Sequence, residues 1–183
     1  GDSQKKRGVN VDTVIMVKKA KQGDRETLLQ LIMQQKEGYY KLAYVYMKNP
    51  EDALDAMEDM IVILYENIHR LRKEGSFYSW SKTILVNCCK NLLRKNKRLV
   101  SLDTIREQAD ESPFGDKEAQ IVLEQHLSRL SEKQQEAIKL RYYLDLDYQS
   151  IADILKIPVG TVKSRISIGL QILEKSLGGE SFE

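Results

Sequence analysis

Three groups of side chains have chemistry to offer. Thr161, Lys163, Ser164, Arg165 and Ser167 fall within the run GTVKSRIS. Small polar and basic side chains in this order suit the base edges and phosphates of duplex DNA. A second group is cationic. Lys90, Arg94, Lys95, Lys97 and Arg98 close the segment FYSWSKTILVNCCKNLLRKNKR, residues 77–98, which opens on Phe77 and Trp80. Cationic side chains neutralise phosphates, and aromatic rings offer stacking surfaces to unpaired bases. The third group is acidic: Asp52, Asp55, Glu58 and Asp59 give one helix an acidic side. Groups for catalysis are missing from the pattern. His69 and His126 lie far apart without triad or metal-ligand spacing, and no Gly-rich phosphate loop occurs. Cys88 and Cys89 are adjacent and have no other cysteine to pair with, so neither a disulfide framework nor a four-cysteine zinc site can form. No catalytic residue, bound metal, cofactor or small-molecule substrate is expected.

The elements that must position these groups read as helices throughout. Residues 147–173 form two short helices with a tight turn between them. Tyr148, Ile151, Ala152 and Leu155 share one face of the first, and Asp147 can cap it. Pro158 breaks the pattern by disfavouring helical geometry in the residue before it. The second helix begins at Val159, with an expected apolar stripe of Val162, Ile166, Leu170 and Leu173. Thr161, Ser164, Ser167 and Ile168 lie opposite. Two such helices joined by a short turn are the helix-turn-helix pattern, whose second helix enters the DNA major groove.

Upstream, the spacing predicts helices over 12–22, after Asp24, over 39–47 with a kink near Gly38, and from Pro50 to about Arg72. Asn49, Pro50, Glu51 and Asp52 make a strong start to the last of these. Phe77, Trp80, Ile84 and Cys88 mark the core face of the next helix. Asn87 follows Trp80 by seven residues, so it is either a hydrogen-bonded buried amide or exposed by a bend. Residues 101–118 contain Pro113 and Gly115 and hold two basic against six acidic residues, a balance of −4, which reads as a linker. Helical periodicity resumes at Ala119 with Ile121, Leu123, Leu127 and Leu130. Ser131 and Gln134 then have capping-box spacing.

The fold expected is all-α: a loose stretch at 1–10, a helical domain at 11–100, an acidic linker at 101–118, a second domain at 119–177 ending in the helix-turn-helix, and a tail at 178–183. Charge divides the same way. Residues 1–100 hold 19 Lys and Arg against 12 Asp and Glu, a balance of +7, whereas residues 101–183 hold 10 against 15, a balance of −5. No apolar run approaches the ~18 residues of a membrane span and no signal peptide is visible, so a cytoplasmic chain without direct membrane insertion is expected.

Across nearly its whole length the chain resembles the bacterial RNA polymerase sigma factors of the extracytoplasmic-function (ECF) group. Three stretches carry the resemblance: DALDAMEDMIVILY at 52–65, the aromatic-to-basic segment at 77–98 with its Asn87, and PVGTVKSR at 158–165. The resemblance implies a promoter-specific initiation factor. Its first domain, region 2, would hold the β′ clamp helices of core RNA polymerase through Asp52, Asp55, Glu58 and Asp59. It would also capture the −10 element, with Asn87 reading an extruded base and Lys90, Arg94, Lys95, Lys97 and Arg98 lying along the phosphates. The second, region 4, would read the −35 element through Thr161, Lys163, Ser164, Arg165 and Ser167 and bind the β flap. An anti-sigma factor is the implied regulatory partner.

The chain departs from the family pattern at several positions. Leu54 and Glu58 replace a usual Glu and Gln, Ser81 a usual leucine, Asn91 a frequent Asp, and Ser131 a proline. Ile168 stands where an arginine is common; it removes a groove or phosphate contact and offers a side chain that can touch a thymine methyl. The competing function class is a stand-alone helix-turn-helix regulator. That accounts for residues 147–173 but gives residues 77–98 and the acidic helix no role.

Overall fold

The structure, a computed structural model, describes residues 10–99 and 112–181. Residues 1–9, residue 100 with most of the acidic linker (101–111), and the last two residues of the tail lie outside it. Among the described residues all regular structure is helical: α1 (Val11–Lys21), α2 (Arg25–Gln34), α3 (Lys36–Met47), α4 (Pro50–Asn67), α5 (Phe77–Leu99), α6 (Lys117–Leu127), α7 (Glu132–Tyr142), α8 (Tyr148–Leu155) and α9 (Val159–Ser181). Short 3-10 turns at Ile68–Arg70 and Glu74–Ser76 join α4 to α5.

Local chemistry accounts for most of the boundaries. Asp24 accepts from the Thr27 amide at 3.1 Å, Asn49 from Asp52 at 2.9 Å and Asp147 from Ser150 at 2.7 Å, each satisfying an orphan donor at a helix start. The Ser131–Gln134 capping box forms in both directions. Three boundaries differ from the expectation. The break before α3 falls at Gln35, with Gly38 inside the helix. Helix α4 stops at Asn67 and tightens into 3-10 geometry instead of running to Arg72. Helix α9 passes through Gly178 to Ser181.

Helices α3, α4 and α5 pack mutually and form the first core, with α1 and α2 against them. Tyr39, Leu42, Met60, Leu64, Phe77, Leu85 and Cys89 are sealed from solvent there. One polar pair is buried with them. The Ser81 hydroxyl donates to the Tyr78 carbonyl at 2.9 Å, which leaves the Tyr39 hydroxyl, 2.7 Å away, to donate to Ser81. This explains a serine where the family usually has a leucine: Tyr39 brings a hydroxyl that would otherwise be unpaired. Burial pushes the Cys88 thiol up to about 11 and that of Cys89 to about 12, so both stay protonated core residues.

The same buried cluster continues into the second module with a smaller set: Leu127, Leu130, Ala137, Ile138, Leu140, Ile151, Ala152, Ile154, Val162 and Ile166. Here the expected stripe on α9 is corrected. Leu170 is exposed and Gly169 takes the buried position, where a Cβ would come within 2.5 Å of Ile138 Cδ1. On α8 the buried face is Ile151, Ala152 and Ile154, and Tyr148 lies at the surface.

Candidate nucleic-acid and polymerase interface

Helix α5 is unbroken from Phe77 to Leu99, yet Asn87 is exposed. Neither sequence alternative holds, for a geometric reason. Trp80 is itself only half-buried, at the rim of the core, whose stripe runs through Phe77, Ser81, Leu85, Cys88 and Cys89. Asn87 therefore shares the outer face with Thr83, Lys90 and Arg94, at spacings of 4, 3 and 4. Lys90, Arg94, Lys95 and Lys97 are all exposed, and the Arg94 guanidinium donates to Asn91. Arg98 belongs to the last turn of α5, with its side chain outside the described part. The cations thus form one strip that continues the Asn87 face toward the helix end.

Beside this strip the structure brings in residues that the sequence reading did not single out. The connection from α4 to α5 carries exposed Arg70, Arg72 and Lys73 next to Trp80. With Lys156 and Pro158 of the helix-turn-helix they line a cavity of about 790 Å³. Their signal in the sequence was RLRK itself, which periodicity assigned to a helix end.

In the helix-turn-helix, Lys156 adopts a left-handed backbone at φ 57°, and its amide donates to the Ala152 carbonyl, ending α8. Chain reversal thus starts two residues before Pro158. Val162, Ile166 and Gly169 seat α9 on the core. Lys163, Ser164 and Ser167 are exposed on the far side beside Ile168, and Thr161 and Arg165 flank it half-buried. All five sequence-predicted residues thus border one outward surface. Arg141 and Lys163 sit 5.6 and 6.0 Å from the Tyr148 ring, an additional cationic–aromatic cluster at the start of α8.

The acidic side of α4 divides in two. Asp55, Glu58 and Asp59 are exposed. Asp52 is half-buried and already engaged, accepting from the Asn49 side chain at 2.8 Å. Leu54 and Val62 are also exposed, on the same side as Glu58, while Ala53, Ala56, Met60 and Leu64 face inward. Charge read without the helical wheel missed these two apolar side chains. An acidic rim around exposed Leu and Val has the make-up of a protein-docking face rather than of a solvated one.

Among the described residues no group of three or more His, Cys, Asp and Glu converges as a metal site. No described helix is long and apolar enough to cross a membrane.

An all-helical chain with a cationic strip on one module and a helix-turn-helix on the other belongs to the class of multi-domain DNA-binding proteins. Comparison with known proteins narrows this. The sequence matches the Sigma-70 region 2 family over residues 31–99 and the Sigma-70, region 4 family over residues 121–173. It is 30% identical to the RNA polymerase sigma factor SigV of Bacillus subtilis over 88% of this chain and 98% of the relative. It is 29% identical to the ECF sigma factor SigW of the same organism, over 88% and 94%. Its backbone resembles CnrH, solved in complex with the cytosolic domain of CnrY, at a TM-score of 0.67 with 19% identity, over 92% of this chain and 99% of that one. RpoE of Bartonella quintana, solved with the anti-sigma factor NepR, gives 0.63 at 23% identity, over 84% and 98%. The chain belongs to the ECF sigma factors of RNA polymerase. Its function is that of the family: it binds core RNA polymerase and directs initiation at promoters.

Proposed function

We propose the following division of labour. Asn87 reads an extruded base of the −10 element, and Lys90, Arg94, Lys95, Lys97 and Arg98 follow the phosphates of the same strand. Extruding a base costs a few kcal/mol, which a pocket and stacking must return. Trp80 and the Arg70–Lys73 loop stand beside that path. Lys163, Ser164 and Ser167, flanked by Thr161 and Arg165, read the −35 duplex, and Ile168 contacts a thymine methyl where the family carries arginine. On α4, Asp55, Glu58 and Asp59 ring Leu54 and Val62 to engage the β′ clamp helices, with Asp52 serving the helix cap as well. The second domain, 119–177, binds the β flap, and the linker at 101–118 tethers it to the first domain, 11–100. The chain acts in the cytoplasm, supplies no catalytic group, and leaves the chemistry to the polymerase. An anti-sigma factor holds it inactive; support comes from RpoE, solved in complex with the anti-sigma factor NepR.

The observation that carries the residue assignments is the exposed Asn87–Lys90–Arg94 face of an unbroken α5, anchored from behind by a sealed core. Run-off transcription with purified core polymerase tests it. Adding the chain is expected to produce promoter-specific transcript. Replacing Asn87 with Ala should lower that transcript at least tenfold with little change in melting temperature. A large fall in melting temperature, or transcript at the wild-type level, rules out the base-reading role.

A further inference from the structure

Lys82 is a cation without a counter-charge. It stands on the Val86 and Cys89 side of α5, away from the outer face that carries Asn87, and it is half-buried. Helix α3 and the turn after α7 enclose it. With Lys41 and Leu42 of α3 and Tyr143, Leu144 and Leu146 of the turn, it lines a cavity of about 450 Å³. Four other titratable groups share that lining: Glu37 and Lys41 from α3, and Tyr143 and Asp145 from the turn. None of them answers the Lys82 charge. Glu37 pairs with Lys41 at 3.4 Å, and Asp145 with Arg141 at 3.4 Å. Both carboxylates are turned to solvent, at 79% and 85% side-chain exposure. Burial pushes the Tyr143 phenol up to about 12, so it stays neutral. Among the described residues no ion pair or hydrogen bond holds the Lys82 ammonium.

Burial without a counter-charge favours the neutral amine, and a neutral amine is a nucleophile. We propose that Lys82 is a site of N-acylation by small acyl phosphates, and that Lys41, on the same cavity, holds the phosphate of the donor. The Nζ lone pair attacks the acyl carbon. An N–C bond forms and the C–O bond to phosphate breaks. Inorganic phosphate leaves with that electron pair, and the proton shed by nitrogen goes to the phosphate or to water. Two features select this class of donor. A cavity of this size admits a small acyl phosphate but not a bulky thioester cofactor, and a cation on its wall favours an anion. The Lys41–Glu37 pair is a surface pair and is worth little, so Lys41 exchanges Glu37 for a phosphate with small loss. The product is a neutral amide. The desolvation that opposes burial of the ammonium does not oppose burial of the amide to the same degree, so acylation and folding favour each other. The site does not depend on the DNA assignments given above.

Incubation of the full chain with acetyl phosphate, followed by peptide mass spectrometry, gives the initial acetylation rate of each lysine. At neutral pH Lys82 is expected to react about threefold faster or more than the exposed Lys19 and Lys133. Its rate should also level off at a lower pH than theirs, because desolvation lowers its pKa. A rate at or below theirs, or one that climbs in step with theirs through the lysine range, overturns the proposal. Lys41→Gln separates anchoring from nucleophilicity. It should slow acetylation of Lys82 by acetyl phosphate about tenfold and leave acetylation by uncharged acetic anhydride unchanged. Loss of rate with both donors, or with neither, overturns the two-lysine site. Lys82→Gln is neutral, like the acylated side chain, and is expected to melt no lower than the parent. A clear fall in melting temperature would mean that the ammonium is stabilised where it stands, and the proposal would fall with it.

Discussion

Helices α5 and α9 are both 23 residues long, and each carries the face proposed above to meet DNA, but they are built differently. The inner face of α5 is anchored by fully buried Phe77, Leu85 and Cys89, and its outer face is cationic. The fully buried anchors of α9, Val162, Ile166 and Gly169, lie in its first half, Ile172 and Leu173 pack half-buried beyond them, and its outer face is mainly small and polar. Leu170 and Leu177 of its second half are exposed. Capture of a melted strand needs charge on a rigid platform, because phosphate attraction is insensitive to sequence and a flipped base must be held against restacking. Reading a duplex needs close approach of short side chains to base edges, which a modestly anchored helix can provide once the groove holds it. The second module is thinner elsewhere as well. Ile121, Val122 and Leu123 of α6 are exposed, and α6 adds only Leu127 to the buried core.

The largest effect should come from the better-anchored helix. Phe77→Ala removes a fully buried ring at the root of α5 and is expected to cost about 3–5 kcal/mol. Amide hydrogen exchange reads where that cost falls. If each core stands on its own, amides of α3, α4 and α5 should exchange about a hundredfold faster or more, and those of α9 less than tenfold faster. Equal acceleration in both modules would make them one cooperative unit and erase the contrast between the two helices.

Legibility in the sequence followed the range of the interaction. Asp24, Asn49, Ser131 and Asp147 were readable as caps because a cap is decided within three residues. The proline at 158 placed the start of α9 for the same reason. Sequence spacing favours Leu170 over Gly169 for the buried stripe of α9 because leucine is the more hydrophobic residue. What selects glycine there is the approach of Ile138 from α7, which no spacing within α9 reveals. Asn87 admits two readings in the sequence because Trp80 reads as the centre of the core face, whereas in the structure Trp80 is half-buried at the rim. The Tyr39–Ser81 pair, the seating of Phe114 between the rings of Tyr44 and Tyr143, and Glu136 between Tyr46 and Lys90 all join residues far apart in sequence. Each of those residues alone reads as an ordinary polar or aromatic position.

A smaller effect is expected from the ion pair that bolts α6 onto α7. Lys139 is buried, and its ammonium lies 2.7 Å from Glu124, which also approaches Lys48 at 3.7 Å. Desolvation lowers the Lys139 pKa, and Glu124 partly opposes this. Glu124→Gln leaves the ammonium without its counter-charge and is expected to cost about 1–3 kcal/mol at neutral pH. The sign of the pH dependence follows from the depressed pKa. Between that pKa and the unfolded value the unfolded chain binds the extra proton, so the penalty for burying the charge fades as pH rises toward the lysine range. Denaturation of the variant and the parent at neutral and at alkaline pH should therefore show the gap narrowing. A constant gap would mean that Lys139 is lost as a hydrogen-bond partner rather than as a buried charge, and α6 would then be held less electrostatically than its thin core implies.

The smallest effects separate the two glycines of α9. Nothing lies within 4 Å of a Cβ added at Gly160, whereas at Gly169 the Cβ would meet Ile138 Cδ1 at 2.5 Å. Alanine gains up to about 1 kcal/mol over glycine inside a helix. At Gly160 that gain stands alone, so Gly160→Ala should stabilise the chain by up to about 1 kcal/mol. At Gly169 the gain is opposed by overpacking, which costs about 1–3 kcal/mol in a filled core. Ile138 Cδ1, the free end of that side chain, must turn away to make room for the added methyl. Gly169→Ala is therefore expected to destabilise by about 1 kcal/mol, with α9 displaced outward and binding of −35 duplex weakened along with it. Chemical denaturation of the two variants side by side checks the sign. If both substitutions stabilise equally, the contact between α9 and α7 is looser than the close approach at Gly169 requires, and α9 is anchored by Val162 and Ile166 alone.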